Sequence, residues 1–395
     1  MIRKIKFSNF YSFNGEQEID FTATKKKNDY SYYNSPVGDQ ITKVAGFIGD
    51  NASGKTNILR VFSFLGYFIC SPSRPTLVDL PFIAYKAFFG NSEPSSFYIE
   101  FEIDQDIYKY SLTLKNNIVE SESLNVKKIG SLGASVKVFS RTPDGVKLND
   151  ELFRGFDEME GMKNIRSDVS LISYVRANYQ IDVIGKIFSY FSNFGFNINE
   201  RGDKFGIGYS AIKYLEDEQV KTKTDNYFIG SNTGLKGFKV ERDNIKNERG
   251  EDIVRISVWG IHNTEKGDTL LYSDYESTGT KSLFCMIDKL TLAIKNNGVA
   301  IIDEIETGLH PEALYKLIGY FIDENEESRA QLIFSSHSLE FMGKLDMQQI
   351  YLVEKNEDGE SRAYRLDSVE GVRSDDNFMA KYMSGAYGAF PDIRV

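Results

Sequence analysis

The sequence predicts an α/β fold, with an antiparallel β lobe, a mixed or parallel α/β core and a helical insertion between its two halves. Three observations predict it. The apolar run Val44 to Ile48 enters a glycine-rich loop, Gly49-Asp50-Asn51-Ala52-Ser53-Gly54-Lys55-Thr56, and an apolar helical pattern follows. A second apolar run, Val299 to Ile302, ends in Asp303-Glu304. Residues 96–103 and 107–114 alternate apolar and polar side chains across Asp104-Gln105-Asp106, as a half-solvated hairpin does. Strand, helix, strand, helix with carboxylates at strand ends is the pattern of an α/β nucleotide fold.

In chain order, residues 2–7 and 17–21 alternate as strands and are joined through Asn14-Gly15, a hairpin signal. Residues 25–40 are polar and read as a loop. The glycine-rich loop matches G-x-x-x-x-G-K-[ST]. Its glycines let the backbone curl with N–H groups inward, Lys55 adds a point charge toward the terminal phosphates, and the Thr56 hydroxyl can ligate Mg²⁺. A helix beginning near Lys55 points its positive end at the same anion, so residues 49–57, Asn57 included, form the candidate ATP-binding segment. Residues 71–94 hold four prolines and read as irregular. The hairpin of residues 96–114 follows, and residues 135–140 suggest one more strand.

From about residue 149 to residue 217 the period becomes helical. Residues 172–194 carry a stripe of Tyr and Phe, which fits either the insertion's own core or a docking surface for a protein partner. Residues 221–250 are polar and lysine-rich and read as loop or ribbon, and strand character resumes at 253–258 and 270–272. The chain therefore divides into residues 1–140, the insertion 141–249, and residues 250–395.

In the last part, Glu276-Ser277-Thr278-Gly279-Thr280-Lys281 precedes an apolar helix over 283–294. Asp303, at a strand's C-terminal end, is placed to hold Mg²⁺ against the phosphates, and Glu304 to orient and deprotonate a water. Glu306-Thr307-Gly308-Leu309-His310-Pro311 leads into a helix, and the apolar strand 332–334 ends in Ser335-Ser336-His337-Ser338. His337 can contact the γ-phosphate or the water. His310 reads as packing at its helix start, and His262 as lying in a turn.

Composition sets the outer bounds. With 41% hydrophobic and 26% charged residues the chain is an ordinary globular one. A net charge of −10 argues against a broadly basic nucleic-acid surface, although Lys25-Lys26-Lys27 and Lys127-Lys128 are local candidates. Two cysteines, Cys70 and Cys285, read as buried thiols in a cytoplasmic setting, and with three histidines they make no convincing zinc site. No apolar stretch is long enough to span a bilayer.

The order of these motifs resembles the ABC-type ATPase head of the SMC/RecF group. In that family Ser277, Thr278, Gly279 and Thr280 fall on the signature, residues 306–311 on the D-loop and His337 on the switch histidine. The resemblance implies a two-lobed head that dimerises, or assembles further, with ATP held between the P-loop of one subunit and Ser277, Gly279 and Thr280 of another. The C-terminal run from Tyr382 to Pro391 is similar to the end of abortive-infection ATPases of the AbiL/RloA kind, an anti-phage group. Two features depart from the larger family. No glutamine occurs from Thr56 through Asp104, so the Q-loop position is open, with Lys86 and Asn91 nearby, and no sustained heptads mark a coiled coil. The stretch after Ser338 is too short for a TOPRIM nuclease. The expectation is a cytoplasmic ATPase that closes on ATP and controls a separate effector, with DNA contact optional and no membrane. The rival is a RecF-like DNA-binding ATPase of repair or replication.

Overall fold

The computed structural model describes residues 1–25, 27, 29–70, 86–129, 135–154, 165–198, 206–231, 233–246, 249–265 and 267–388. Strand β1 (Ile2–Ser8) pairs antiparallel with β2 (Gln17–Asp20) on one edge and with β6 (Ser95–Ile103) on the other. From β6 the sheet continues through β7 (Asp106–Lys115), β8 (Ile118–Lys127), β9 (Val136–Thr142) and β10 (Gly145–Leu148). The order is β10-β9-β8-β7-β6-β1-β2, antiparallel throughout. Between β7 and β8 the turn is Asn116-Asn117 with both φ positive, the left-handed pair that a two-residue hairpin turn needs and that Asn tolerates. A small ribbon, β3 (Tyr32–Asn34) with β4 (Gln40–Thr42), occupies part of the segment read as loop.

The second sheet carries the P-loop. β5 (Val44–Ile48) lies at its centre, parallel to β16 (Gln331–Ser336) and β17 (Ile350–Lys355). β15 (Val299–Ile302) and β11 (Phe194–Phe196) extend it in parallel on one side, and β18 (Ser361–Arg365) closes the other side antiparallel. Both faces are covered, which is why β5 and β15 are apolar at every position apart from Gly46. Ala45, Phe47, Val299 and Ile301 join one apolar cluster, while Val44, Ile48, Ala300 and Ile302 join the other.

Helix α1 (Lys55–Cys70) lies in the first cluster between the two sheets. Ile58, Leu59, Val61, Phe62, Phe64, Leu65 and Ile69 are buried on nearly its whole circumference, the mark of a fully enclosed helix. Helices α2 (Leu171–Asn178) and α3 (Asp182–Ser192) pack on α1. Buried Glu122 of β8 fixes α2 to the first sheet, accepting from Leu171 N and Ser170 Oγ at its start and from Tyr110 Oη. Burial raises its carboxyl above the usual range. Half of the aromatic stripe is core: Tyr190, Phe191 and Phe194 are buried, with Tyr190 stacked on Phe101, while Tyr174, Tyr179 and Phe188 are half-buried against the same cluster.

On the other face, α4 (Ile207–Glu216), α5 (Glu218–Gly230), α6 (Thr278–Asn296) and α7 (Pro311–Glu324) cover the second sheet with the antiparallel sheet β12-β13-β14 (Leu235–Lys246, Asp252–Thr264, Gly267–Tyr272). Residues 221–250, read as loop or ribbon, thus hold most of α5 as well as β12. The C-terminal α8 (Phe378–Met383) adds buried Phe378 and Tyr382; Ala389 to Pro391 of the family-like run lie outside the described residues. Cys285 is buried, as expected, and Cys70 only half-buried. Lys26 also lies outside the described residues, whereas Lys27 pairs with Asp346 at 2.6 Å. Among the described residues no helix is long and apolar enough to cross a membrane.

Candidate nucleotide site

The P-loop leaves β5 through Gly49, where a Cβ would stand 2.0 Å from Val353 O, so only glycine fits. At Gly54 φ is +118° and a Cβ would come within 2.5 Å of Ser361 Oγ. Asp50, Asn51 and Ala52 form the exposed outer curve, with Asn51 N donating to Asp50 Oδ1 and Ala52 in the left-handed region at φ 61°. Ser53 is buried, and its Oγ has no hydrogen-bond partner among the described residues. Ser12, in the loop after β1, buttresses the motif: Asn57 Nδ2 donates to Ser12 Oγ at 2.8 Å, and Ser361 Oγ, 2.8 Å from it, also bonds Ser53 O.

Lys55 is buried, at 4% exposure. Its Nζ donates to Gly49 O and Asp50 O at 2.8 Å each and to His337 Nδ1 at 3.1 Å. Burial lowers its ammonium to about 8, against the opposing pull of Asp303, Glu306, Asp50 and Glu304. Thr56 Oγ1 donates to both carboxylate oxygens of Asp303, at 3.1 and 3.0 Å. Glu304, next in the chain, sits at φ 48°, a strained value for a side-chain-bearing residue and one that clusters at functional sites. Its N–H donates to Ser335 Oγ at 2.9 Å, Ser335 Oγ in turn donates to Asp303 Oδ1, and Glu304 Oε1 lies 3.8 Å from His337 Nε2. Thr307 Oγ1 approaches Glu304 Oε2 at 3.5 Å, and His337 N donates to Glu306 Oε1 at 2.6 Å.

Lys55, Thr56, Asp303, Glu304 and His337 are therefore brought together from three parallel strands' ends. Ser277, Gly279 and Thr280 are not among them. Ser277 is exposed and caps α6, accepting from Thr280 N at 3.0 Å. Gly279 instead touches the loop before α7, where a Cβ on it would meet Gly308 O at 2.4 Å; Gly308 has φ +73°. No hydrogen bond joins Ser277, Gly279 or Thr280 to residues 49–57 among the described residues.

Three groups escaped sequence reasoning. Asn197, just after β11, clamps the Asp303 peptide on both sides: Asp303 N donates to its Oδ1 at 2.7 Å, and its Nδ2 donates to Asp303 O at 3.0 Å. Ser335 bridges the two carboxylate residues, and Ser12 braces the loop. Only Ser335 had a local signal, as the small buried residue before Ser336 and His337 at a strand end. Lys86 and Asn91 line a cavity of about 650 Å³ with Tyr11, Ser12, Asn57 and Lys355, beside the P-loop helix. Neither bonds Thr56 or Asp303 among the described residues; Asn91 pairs with Asn9. His310 caps α7, with Nδ1 accepting from Glu312 N. His262 lies within β13, not in a turn, because the strand runs on to Thr264 before it reverses.

Among known structures, the chain is similar to the SMC head domain from Thermotoga maritima, at 14% identity over 92% of this chain and 98% of that one, with a TM-score of 0.42. An Smc head bound to the C-terminal domain of ScpA, derived from Pyrococcus furiosus, gives 14%, 92% and 96% with a TM-score of 0.46. Among curated proteins none matches. The family model described as "AAA domain, putative AbiEii toxin, Type IV TA system" matches residues 44–343, from β5 to just past β16. The P-loop stands on a parallel sheet with an antiparallel sheet alongside, and the chain belongs to this AAA-domain family.

Proposed function

We propose that the protein binds and hydrolyses ATP at a site completed by a second copy, and that this cycle serves as the sensor or scaffold of an anti-phage defence system controlling a separate effector. The observation that carries the proposal is the split of the motif set. Lys55, Thr56, Asp303, Glu304 and His337 converge in one chain, while among the described residues no hydrogen bond joins Ser277, Gly279 or Thr280, at the start of α6, to any of them.

The residues fit an anion and a cation. Ser53 has a buried hydroxyl at the mouth of α1 with no partner among the described residues, and Lys55 is held by backbone carbonyls where a phosphate would exchange for them. The Thr56 hydroxyl already donates to the Asp303 carboxylate, at 3.1 and 3.0 Å, and hydroxyl and carboxylate oxygens are the donors Mg²⁺ prefers. Bound there, Mg²⁺ would neutralise charge on the β- and γ-phosphates. Glu304 orients and deprotonates the attacking water, and His337, bridging Lys55 and Glu304, senses the terminal phosphate. The residues 49–57 hold the phosphates, and the adjoining cavity leaves room for the nucleoside. Ser277, Gly279 and Thr280, at a helix N-terminus, bind the phosphate of the partner's nucleotide.

Glu304→Gln keeps shape and removes the base. ATP should still bind, hydrolysis should fall by a factor on the order of a hundred or more, and the closed dimer should persist. In cells carrying the gene with its genomic neighbours, protection from phage should need both the partner gene and an intact Glu304. Protection by this chain alone would remove the scaffold role, and a DNA-stimulated, salt-sensitive ATPase with a repair defect would favour the DNA-binding reading.

A further inference from the structure

Between Asp274 and Thr278 the chain faces solvent at every position but one. Asp274, Tyr275, Ser277 and Thr278 are exposed, whereas Glu276 is turned inward with 5% of its side chain accessible. An inward carboxyl is costly unless it is paired. Its partner is His262 of β13, whose Nε2 donates to Glu276 Oε1 at 2.7 Å. Gly260, two residues earlier on the same strand, makes the room, because a Cβ there would stand 2.2 Å from that same oxygen. The sheet β12-β13-β14 is thereby tied to the residue immediately before Ser277. On the other side of Ser277, Gly279 rests against Gly308.

We infer that His262 and Glu276 are positioning residues for the composite ATP site: their bond fixes the backbone from which Ser277 and the start of α6 project toward the partner's nucleotide. A change of tilt in β12-β13-β14 would thus reach ATP-driven closure without passing through the chain's own P-loop. This rests on the reading of Ser277 and Gly279 as receptors for the second copy's nucleotide.

The test uses the full chain in a Glu304→Gln background. A fluorescent ATP analogue reports binding to single chains, and light scattering reports ATP-driven association. His262→Ala should leave nucleotide affinity within twofold and weaken association at least roughly tenfold, as expected for loss of one charge-assisted hydrogen bond. His262→Gln, whose amide can donate to Glu276, should recover most of that loss. Gly260→Ala, whose Cβ would push the Glu276 carboxyl from its place beside His262, should reproduce the defect. Association of His262→Ala equal to the parent would overturn the positioning role, as would a His262→Gln protein no better than His262→Ala when both melt with the parent. A parent that binds ATP without associating removes the composite-site reading itself.

Discussion

Asn197→Leu removes the clamp on the Asp303 peptide with little change in volume. Two hydrogen bonds are lost, the one to Asp303 O at 3.0 Å and the one from Asp303 N at 2.7 Å. Each contributes about 1 kcal/mol net, so about 2 kcal/mol of the restraint on Asp303 disappears. At ~1.4 kcal/mol per decade, this corresponds to a loss of roughly 30-fold in any step that needs Asp303 in place. Asp303 is read as a metal ligand, so the loss should fall on Mg²⁺-dependent turnover and not on ATP affinity without the metal. Steady-state hydrolysis titrated with free Mg²⁺, alongside nucleotide binding in chelator, separates the two. A wild-type Mg²⁺ dependence and turnover in a folded Asn197→Leu protein would refute the link between this side chain and the site.

Lys55 gives a second prediction through its buried charge. Its folded value, about 8, lies below the unfolded 10.5, so the charged lysine destabilises the nucleotide-free fold at pH 7 by up to about 3 kcal/mol, and the penalty fades as pH rises from about 8 toward 10.5. Lys55→Met should therefore resist guanidinium better than wild type at pH 7, with the advantage shrinking by pH 9.5; a constant difference across that range would contradict the sign. Lys55→Ala should be folded and hydrolyse no ATP, and turnover at the wild-type rate would remove the P-loop from the chemistry.

The parts of the fold legible in the sequence are those whose signals are contiguous. Gly49 to Thr56 states its own geometry, since each glycine answers a nearby clash, and the run from Val299 to Glu304 carries both its strand and its carboxylates. The alternation in residues 96–114 needed only neighbouring positions to predict a hairpin. Contacts made across the chain left no such trace. Asn197 is 106 residues from Asp303, and its three-residue strand is too short to show a period. Helix α5 was hidden because its buried stripe, Val220, Thr224, Tyr227 and Phe228, keeps helical spacing but begins just before the polar stretch and is thinned by a threonine. The aromatic residues of α3 could be read as surface or core from sequence; Tyr190 is core because it packs on Phe101, a strand of the other lobe, whereas Phe188 stays half-buried.

The composite site itself is tested most directly by mixing two inactive chains. Lys55→Ala damages one P-loop and leaves Ser277 intact; Ser277→Arg blocks the receptor and leaves Lys55 intact. Position 277 is the better choice because a side chain at Gly279 would strike Gly308 O of its own loop. Each protein alone should be inactive. An equal mixture should recover part of the ATPase activity, because one of the two sites in a mixed dimer is built from undamaged halves. No recovery at any mixing ratio, with both proteins folded and able to associate, would mean that the site is complete within one chain.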